Sequence, residues 1–183
     1  MLTAAGLVFT VAPAAVDEAA AKHQARAAGH RAIDCALRLA EMKAAAVAEN
    51  YPDALVIGAD QILVAGEDWF DKPADLAAAR AQLQALRGRT HELATAACAV
   101  LRGERVWQAQ VAPLLAMRRF SDAFLDDYLD AERAAVLGSV GAYRLEGRGI
   151  QLFSRVEGDH FAILGLPLME LLDFLRRCGA LAC

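Results

Sequence analysis

Asp60 is the side chain of this sequence that most needs a chemical explanation. It lies inside the apolar run Leu55–Val64, whose length and β-branched residues predict a buried strand. A carboxylate in such a strand must be hydrogen-bonded, paired with a cation or bound to a metal, because burying it alone is very costly. Gly58 and Ala59 keep bulk away from the point where Asp60 would face a ligand. A turn aspartate between two strands of a hairpin is the competing interpretation.

The charged residues supply further candidates. The sequence has 16 arginines but three lysines, Lys22, Lys43 and Lys72. A compact ammonium group suits phosphate, so a lysine in an arginine-rich chain indicates a phosphate-binding role. Lys43 lies near the end of a predicted helix, where it could equally favour the helix dipole. The acidic pair Asp17-Glu18 is typical of a solvated loop or a helix start.

Helices and strands alternate along the chain and would position these residues. Apolar spacing predicts a helix that starts at Ala32 and stops at Asn50-Tyr51-Pro52-Asp53, just before the central strand. Ala19–Gly29 is polar and is expected to be a loop with some helix. The other predicted elements are an extended segment Val11–Val16, a helix capped by Asp75, a strand from Arg89 to Leu101, a strand from Arg105 to Arg119 with an edge or bulge at Pro113, a helix capped by Ser121, strands Ile150–Val156 and Phe161–Leu164, and a final helix after Pro167. This alternation predicts an α/β fold with a mixed sheet.

Composition excludes several classes of partner. The formal net charge is −4 and no basic block is present, so duplex nucleic acid is not an expected partner. No apolar run reaches the ~18 residues of a membrane span, and no basic-then-apolar leader occurs. We therefore expect a cytoplasmic protein that does not enter a membrane. The cysteines and histidines lack metal-ligand spacing, which argues against a zinc site.

Eight short motifs carry a resemblance to a known family. In chain order they are Val16-Asp17-Glu18, Leu39-Ala40-x-x-Lys43-Ala44, Gly58-Ala59-Asp60-Gln61, Lys72-Pro73, Gly88-Arg89-Thr90-His91, Gly141-Ala142-Tyr143, Glu146-Gly147-x-Gly149 and Gly165-Leu166-Pro167. In this order and at this spacing, the chain resembles the Maf family of nucleoside triphosphate pyrophosphatases. The resemblance implies one Maf-like domain over residues 1–183. It also implies a fold similar to that of the inosine triphosphatases, with a mixed twisted sheet flanked by helices and two lobes around a cleft.

The resemblance also implies a reaction. Family members hydrolyse a nucleoside triphosphate between its α and β phosphates with a divalent metal, Mg²⁺ or Mn²⁺. Asp60 matches the family's catalytic acid, and Glu18, Lys43 and Lys72 match its other essential polar residues. Phosphoryl transfer depends on positioning and charge neutralisation, which two lysines and a metal held by Glu18 and Asp60 would supply. An Asp near its ordinary pKa of ~3.9 is a poor base, so we favour metal binding and water orientation over proton abstraction by Asp60.

Two positions bear on the nucleotide. In the branch of the family that acts on dTTP and UTP, a Thr follows the aspartate and the later loop begins with Gln. This chain has Gln61 and Glu146 there, which is similar to the branch that acts on 7-methyl-GTP. A glutamate can accept hydrogen bonds from guanine N1–H and its 2-amino group, and an amide can donate or accept. The substrate is therefore expected to be a small-molecule nucleotide, 7-methyl-GTP or a related one, and the family also suggests a homodimer.

The chain departs from the family pattern near its start. Family members begin with a strand and a phosphate loop of the type Ala-Ser-x-Ser-Pro-Arg-Arg, and this sequence begins after that motif. Asp71 also replaces the glycine that usually precedes Lys72-Pro73. A catalytically impaired nucleotide-binding protein is accordingly the second hypothesis, and a purely structural α/β module is the third.

Overall fold

The computed structural model describes residues 1–182 of the 183-residue chain. The α-helices are α1 (Glu18–Ala27), α2 (Ala32–Ala48), α3 (Leu76–Leu86), α4 (Asp122–Glu132), α5 (His160–Ile163) and α6 (Leu168–Arg177). The strands are β1 (Val56–Ala65), β2 (Asp68–Phe70), β3 (Thr90–Leu101), β4 (Glu104–Val111), β5 (Leu114–Met117) and β6 (Phe153–Glu157). Short 3-10 helices cover Arg133–Gly138, Val140–Ala142 and Arg148–Leu152. Among residues 1–182, no helix has both the length and the apolar character needed to cross a bilayer.

The strands form one six-stranded sheet in the order β2-β1-β3-β5-β6, with β4 also paired to β3. β1 pairs with β2, β3 pairs with both β4 and β5, and β5 pairs with β6, each time antiparallel. The predicted α/β fold class is confirmed, although these pairings are antiparallel where a mixed sheet was expected. Short turns such as Arg102-Gly103, between β3 and β4, can join only antiparallel strands.

The chain forms two compact units, each built from separate segments. The first contains residues 1–61, 95–111 and those from 159 onward, and the second contains residues 62–94 and 112–158. The residues of β1 and of β3 are divided between the two units. In β1 the division falls after Gln61, so Asp60 and Gln61 belong to the first unit. The description of residues 1–183 as a single domain stays a prediction.

In the first unit, the two faces of β3 pack against different helices. Ala97 and Ala99 belong to a buried cluster with the apolar face of α6, whereas Cys98 and Val100 belong to a cluster with α2. This alternation follows from the two-residue period of a strand. It explains why β3 is a nearly continuous apolar run, since both of its faces are covered.

Gly58 allows α2 to lie unusually close to β1. A Cβ atom at this position would overlap the carbonyl oxygen of Ala40 and crowd the Cβ of Ala44, 2.9 Å away. Both alanines are fully buried on the face of α2 that meets the sheet. The glycine is therefore required for packing, and the space beside it is occupied by α2, not left open to a ligand as the sequence suggested.

The second unit has buried apolar side chains of its own. Its fully buried side chains include Leu63, Leu83, Leu86, Leu115, Leu125, Val136 and Leu152. Beside them, His91 of β3 lies against Tyr143 and Phe153, and its Nε2 is 2.8 Å from the Tyr143 hydroxyl. The His91 Nδ1 is buried without a hydrogen-bond partner among the described residues.

Single polar or cyclic residues explain where the predicted elements differ from the structure. Asp17 accepts a hydrogen bond from the Ala20 amide at 2.9 Å and so starts α1, which covers most of the segment that was expected to be a loop with some helix. Asp159 similarly caps α5, so the strand predicted for Phe161–Leu164 is wrong and this segment is helical. Pro113 lies between β4 and β5, which replace the single strand predicted there. The segment 7–17, predicted to be partly extended, is outside the helices and strands.

Candidate active site

Glu18, Lys43 and Asp60 meet in the first unit. Glu18 is the first residue of α1, Lys43 lies in the last part of α2, and Asp60 lies on β1. The Lys43 Nζ donates a hydrogen bond to Asp60 Oδ1 at 2.5 Å and is 2.8 Å from Glu18 Oε1. One ammonium group thus bridges two carboxylates, and we call these three residues the Glu18–Lys43–Asp60 cluster.

The three side chains of this cluster differ in burial. The exposed fraction of the side chain is 7% for Asp60, 24% for Lys43 and 44% for Glu18. Asp60 is therefore at the protected end of the cluster and Glu18 at its open end. The sequence prediction of a buried, paired aspartate in a strand is confirmed, and the turn interpretation is wrong because β1 runs without a break from Val56 to Ala65.

Burial determines the ionisation of the site. It raises the pKa of Asp60 above its usual range, and although the hydrogen bond and charge of Lys43 act against this change, they do not cancel it. For Lys43, burial lowers the pKa, but the hydrogen bonds to Asp60 and Glu18 outweigh it and leave the pKa above its ordinary value. A carboxylate with a raised pKa is a better proton acceptor near neutral pH than a solvated aspartate. The argument against Asp60 as a base is therefore weaker than it was from sequence alone.

The second carboxylate oxygen of Asp60, Oδ2, has no hydrogen-bond partner among residues 1–182. Oδ2 is buried and makes no hydrogen bond among the described residues, although Oδ1 is held by Lys43. Such an atom needs a water, a metal or a substrate proton to offset its desolvation. Residues 1–182 contain no group of three or more His, Cys, Asp or Glu side chains arranged to hold a metal. Mg²⁺ is often bound by one or two carboxylates together with waters and substrate phosphates, and Glu18 and Asp60 fit that kind of donor set.

Lys22 lies near the Glu18–Lys43–Asp60 cluster, although the sequence did not lead us to expect it there. It lies four residues after Glu18 on α1, and residues at this spacing share a helix face. Burial is the main influence on the pKa of both Asp60 and Cys35 and raises each, while the charge of Lys22 acts in the opposite direction on both. The four-residue spacing of Lys22 from Glu18 is the sequence signal that indicates a place beside the cluster.

Gln61 follows Asp60 and points to the opposite face of β1, because side chains alternate along a strand. Its Nε2 donates to the hydroxyl of Thr95 on β3 at 2.7 Å and to the carbonyl oxygens of Ala162 at 2.9 Å and Ile163 at 3.2 Å on α5. The Thr95 hydroxyl itself donates to the Ala162 carbonyl at 2.9 Å. This network was not predicted, because its members are 34 to 102 residues apart in the chain.

Lys72 and Glu146 belong to the second unit. Lys72 is an exposed residue between β2 and α3, next to the buried Pro73. Glu146 is half-exposed, and its Oε1 accepts a hydrogen bond from Arg144 Nε at 3.2 Å. Arg144 also approaches Glu132, at 3.4 Å, so it is shared between two carboxylates. The structure therefore brings together Glu18, Lys43 and Asp60 of the predicted set. The roles of all six residues, including Lys72, Gln61 and Glu146, stay predictions.

Comparison with known proteins agrees with the resemblance seen in the motifs. A family model described as Maf-like protein matches residues 1–178. The chain is 56% identical over 181 residues to the nucleoside triphosphate pyrophosphatase of Paramagnetospirillum magneticum, an alignment that covers 99% of this chain and 93% of that protein. It is 52% identical to the nucleoside triphosphate pyrophosphatase of Granulibacter bethesdensis, with 99% and 92% covered.

A less similar relative has a narrower name. The 7-methyl-GTP pyrophosphatase of Rhizobium meliloti is 45% identical over 181 residues, which cover 99% of this chain and 91% of that protein. The family match and these relatives extend over nearly the whole sequence, including the segments that carry Glu18, Lys43 and Asp60. The chain belongs to the Maf-like protein family.

Proposed function

We propose that this protein is a hydrolase that cleaves nucleoside triphosphates between the α and β phosphates, giving a nucleoside monophosphate and pyrophosphate. The observation that carries the proposal is the Glu18–Lys43–Asp60 cluster, in which the buried Oδ2 of Asp60 has no hydrogen-bond partner within the described part of the chain. The names of the similar proteins, nucleoside triphosphate pyrophosphatase and 7-methyl-GTP pyrophosphatase, support the reaction class.

Lys43 provides the fixed positive charge of the proposed site. A triphosphate carries about four negative charges, so its approach requires cations that do not need to reorganise. Lys43 is held in place by its two carboxylate partners, at 2.8 and 2.5 Å, and remains partly accessible. We assign it to the phosphates, and a phosphate-binding role for Lys72 remains what the family resemblance implies.

Glu18 and Asp60 are the residues that would hold a divalent ion, Mg²⁺ or Mn²⁺. When bound, such an ion neutralises phosphate charge and lowers the pKa of a coordinated water. Asp60 orients the attacking water through its unpartnered oxygen and accepts the proton that the water loses. Its raised pKa, caused by burial, improves its match to this second task. The water oxygen forms a bond to the phosphorus that it attacks, and the anhydride bond between the α and β phosphates breaks. The two products are the nucleoside monophosphate and pyrophosphate.

For the nucleotide, we propose 7-methyl-GTP or a related modified nucleotide. Glu146 is half-exposed and accepts from Arg144 with one oxygen, which leaves acceptor capacity for a guanine edge and negative charge for a cationic methylated base. The 45% sequence identity to a protein named 7-methyl-GTP pyrophosphatase supports this choice. A preference for dTTP or UTP is the alternative, as in the other branch of the family.

The experiment is a pyrophosphate-release assay on the wild-type chain with 7-methyl-GTP, GTP, UTP and dTTP, with Mg²⁺ or Mn²⁺ and with a chelator. We expect Asp60→Asn to lower kcat about 100-fold or more, because it removes a proton acceptor and a metal ligand. Asp53→Asn is the matched control, since it makes the same chemical change at an exposed position of the first unit. Its activity is expected to stay within about twofold of wild type.

The outcomes separate the hypotheses. Turnover of 7-methyl-GTP that depends on Asp60 and on the metal supports the reaction and the substrate. Preference for UTP or dTTP refutes the substrate alone. Nucleotide binding without turnover identifies the catalytically impaired binding protein and refutes the enzyme. Full activity in Asp60→Asn refutes the assignment of the site.

A further inference from the structure

Gln61 is fully committed to contacts within the protein at its nitrogen. The three groups around Nε2 are the Thr95 hydroxyl and two backbone carbonyl oxygens, of Ala162 and Ile163. Carbonyl oxygens can only accept, so the nitrogen must be the end of the amide that faces them. An amide nitrogen has two hydrogens, and both are directed at this set of acceptors. Gln61 therefore has no N–H left to offer to a nucleobase in this conformation.

The carbonyl oxygens that Gln61 satisfies belong to the end of a single-turn helix. α5 has four residues, from His160 to Ile163, and a helix this short has little stability of its own. Its start is held by the Asp159 side chain, which accepts from the Ala162 amide at 2.6 Å. Ala162 and Ile163 are both buried, and the Ala162 carbonyl oxygen also accepts from the Gly165 amide at 3.0 Å. Gln61 donates to both carbonyl oxygens and Thr95 donates to that of Ala162, so side chains of β1 and β3 hold the end of α5.

Thr95 orients Gln61 as well as α5. Its side chain has no exposed surface, and its hydroxyl accepts from Gln61 while donating to Ala162. The resulting ring of three hydrogen bonds joins β1, β3 and α5 within the first unit. We call Gln61 and Thr95 the Gln61–Thr95 clamp. Because Asp60 is the residue before Gln61, the clamp also fixes the backbone from which the Asp60 carboxylate projects.

We propose that Gln61 and Thr95 are positioning residues, which act on turnover and on nucleotide choice by holding α5 and the Asp60 segment of β1 in place, and not by donating a hydrogen bond to the base. The inference rests on the proposed pyrophosphatase function and specifies how residue 61 takes part in it. It adds Thr95, a buried residue with no expected contact to substrate, to the groups on which the reaction depends.

Two substitutions test the clamp. Gln61→Glu keeps the shape of the side chain but places a carboxylate oxygen against two carbonyl oxygens, which repels α5. Thr95→Val removes the hydroxyl, and Thr95→Ser retains it and serves as the matched conservative variant. Hydrogen exchange of residues 160–166 reports on α5, and kcat and KM for 7-methyl-GTP and GTP report on the reaction.

We expect Gln61→Glu and Thr95→Val to speed exchange in residues 160–166 at least tenfold. Both are expected to lower kcat about tenfold with a smaller change in KM, and to change the 7-methyl-GTP to GTP ratio of kcat/KM in the same direction. Thr95→Ser should stay within about threefold of wild type in every measurement. A purely structural role would speed exchange and leave kcat and the ratio unchanged, which would overturn the inference.

The remaining outcomes also decide. If Gln61→Glu changes the ratio while exchange of residues 160–166 is unaffected, residue 61 contacts the base directly and the inference is refuted. If Thr95→Val has wild-type kinetics, the hydroxyl has no positioning role. Normal wild-type turnover in these cases leaves the proposed function intact. Absence of wild-type turnover on every nucleotide instead refutes the proposed function, and the positioning role with it, whatever the exchange rates show.

Discussion

Replacing Lys43 with methionine should make the protein measurably less stable in a way that depends on Asp60. Methionine keeps most of the length and packing of the lysine stem but removes the ammonium group. The variant leaves the Asp60 carboxylate buried, with its Oδ1 having lost the 2.5 Å hydrogen bond from Lys43 and its Oδ2 already without a partner. A buried charge without compensation is among the most destabilising features that a substitution can create.

The size of the effect follows from burial. Removing one partner of a buried ion pair costs about 3–5 kcal/mol, and the 24% exposure of Lys43 reduces the expected cost to about 2–3 kcal/mol, at or just below that range. The contact with Glu18 adds little, about 0–1 kcal/mol, since that side chain is 44% exposed. In the double variant Lys43→Met/Asp60→Asn the buried charge is gone, so about 2 kcal/mol of the loss should be recovered.

The pH dependence has a definite sign. Lys43 is the cation that holds the pKa of Asp60 down against burial, so its removal raises that pKa further. A folded-state pKa above the unfolded value means that the folded protein binds the proton more tightly. The difference in the free energy of unfolding between wild type and Lys43→Met should therefore shrink as the pH falls from 8 to 5, and grow as the pH rises.

The assay is urea unfolding of the four proteins of this double-mutant cycle, with Glu18→Gln as the exposed control. Trp107 is the probe, because its ring stacks on Phe174 with centroids 5.2 Å apart in the first unit. All variants carry Trp69→Phe, which removes the other tryptophan.

A coupling energy below about 0.5 kcal/mol between residues 43 and 60 would refute the reasoning, since independent sites add within that margin. A deficit that grows on acidification would contradict the assigned direction of the Asp60 pKa. A Glu18→Gln loss as large as that of Lys43→Met would show that burial does not rank the two contacts.

Two further predictions concern the fold. Burial holds the pKa of His91 at about 4, against 6.5 ordinarily, so the unfolded chain binds more protons between these pH values and His91 should cost about 2 kcal/mol of stability as the pH falls from 7 to 5. Urea titrations should show this loss in the wild type and not in His91→Gln, and equal losses in both proteins would contradict it. Gly58→Ala should reduce the free energy of unfolding by about 1–3 kcal/mol, because the added Cβ overlaps the Ala40 carbonyl oxygen, and a loss below about 0.5 kcal/mol would show that α2 moves aside freely.

The sequence was most informative where the cause of a structure is local. The apolar run around Asp60 predicts β1 because strand burial leaves a continuous apolar pattern, and the period of α2 places Lys43 near its C-terminal end. Asp75 and Ser121 were correctly expected to cap their helices, since a cap acts over three residues.

The sequence was least informative where hydrogen-bond partners are distant in the chain. Thr95 and Ala162 approach Gln61 from 34 and 101 residues away, and no local pattern encodes that meeting. α5 was mistaken for a strand because its four residues are too few to show a helical period, and its one cap at Asp159 outweighs their β propensity. The reason for Gly58 was also misjudged, since the helix that fills the space beside it comes from elsewhere in the sequence.

The segmented construction of the first unit also affects how the chain is made. Leu2 and Leu7 pack in the same apolar cluster as Leu171 and Leu175 of α6, so that cluster joins both ends of the chain. A ribosome adds about 5–20 residues each second, and the roughly 160 residues between Leu7 and Leu171 take on the order of 10–30 s to synthesise. During that interval the N-terminal apolar side chains have left the ribosome without the helix that covers them. Ala97, Ala99 and Trp107 in the middle of the chain also belong to this cluster, so its apolar surface is completed only when α6 has been made.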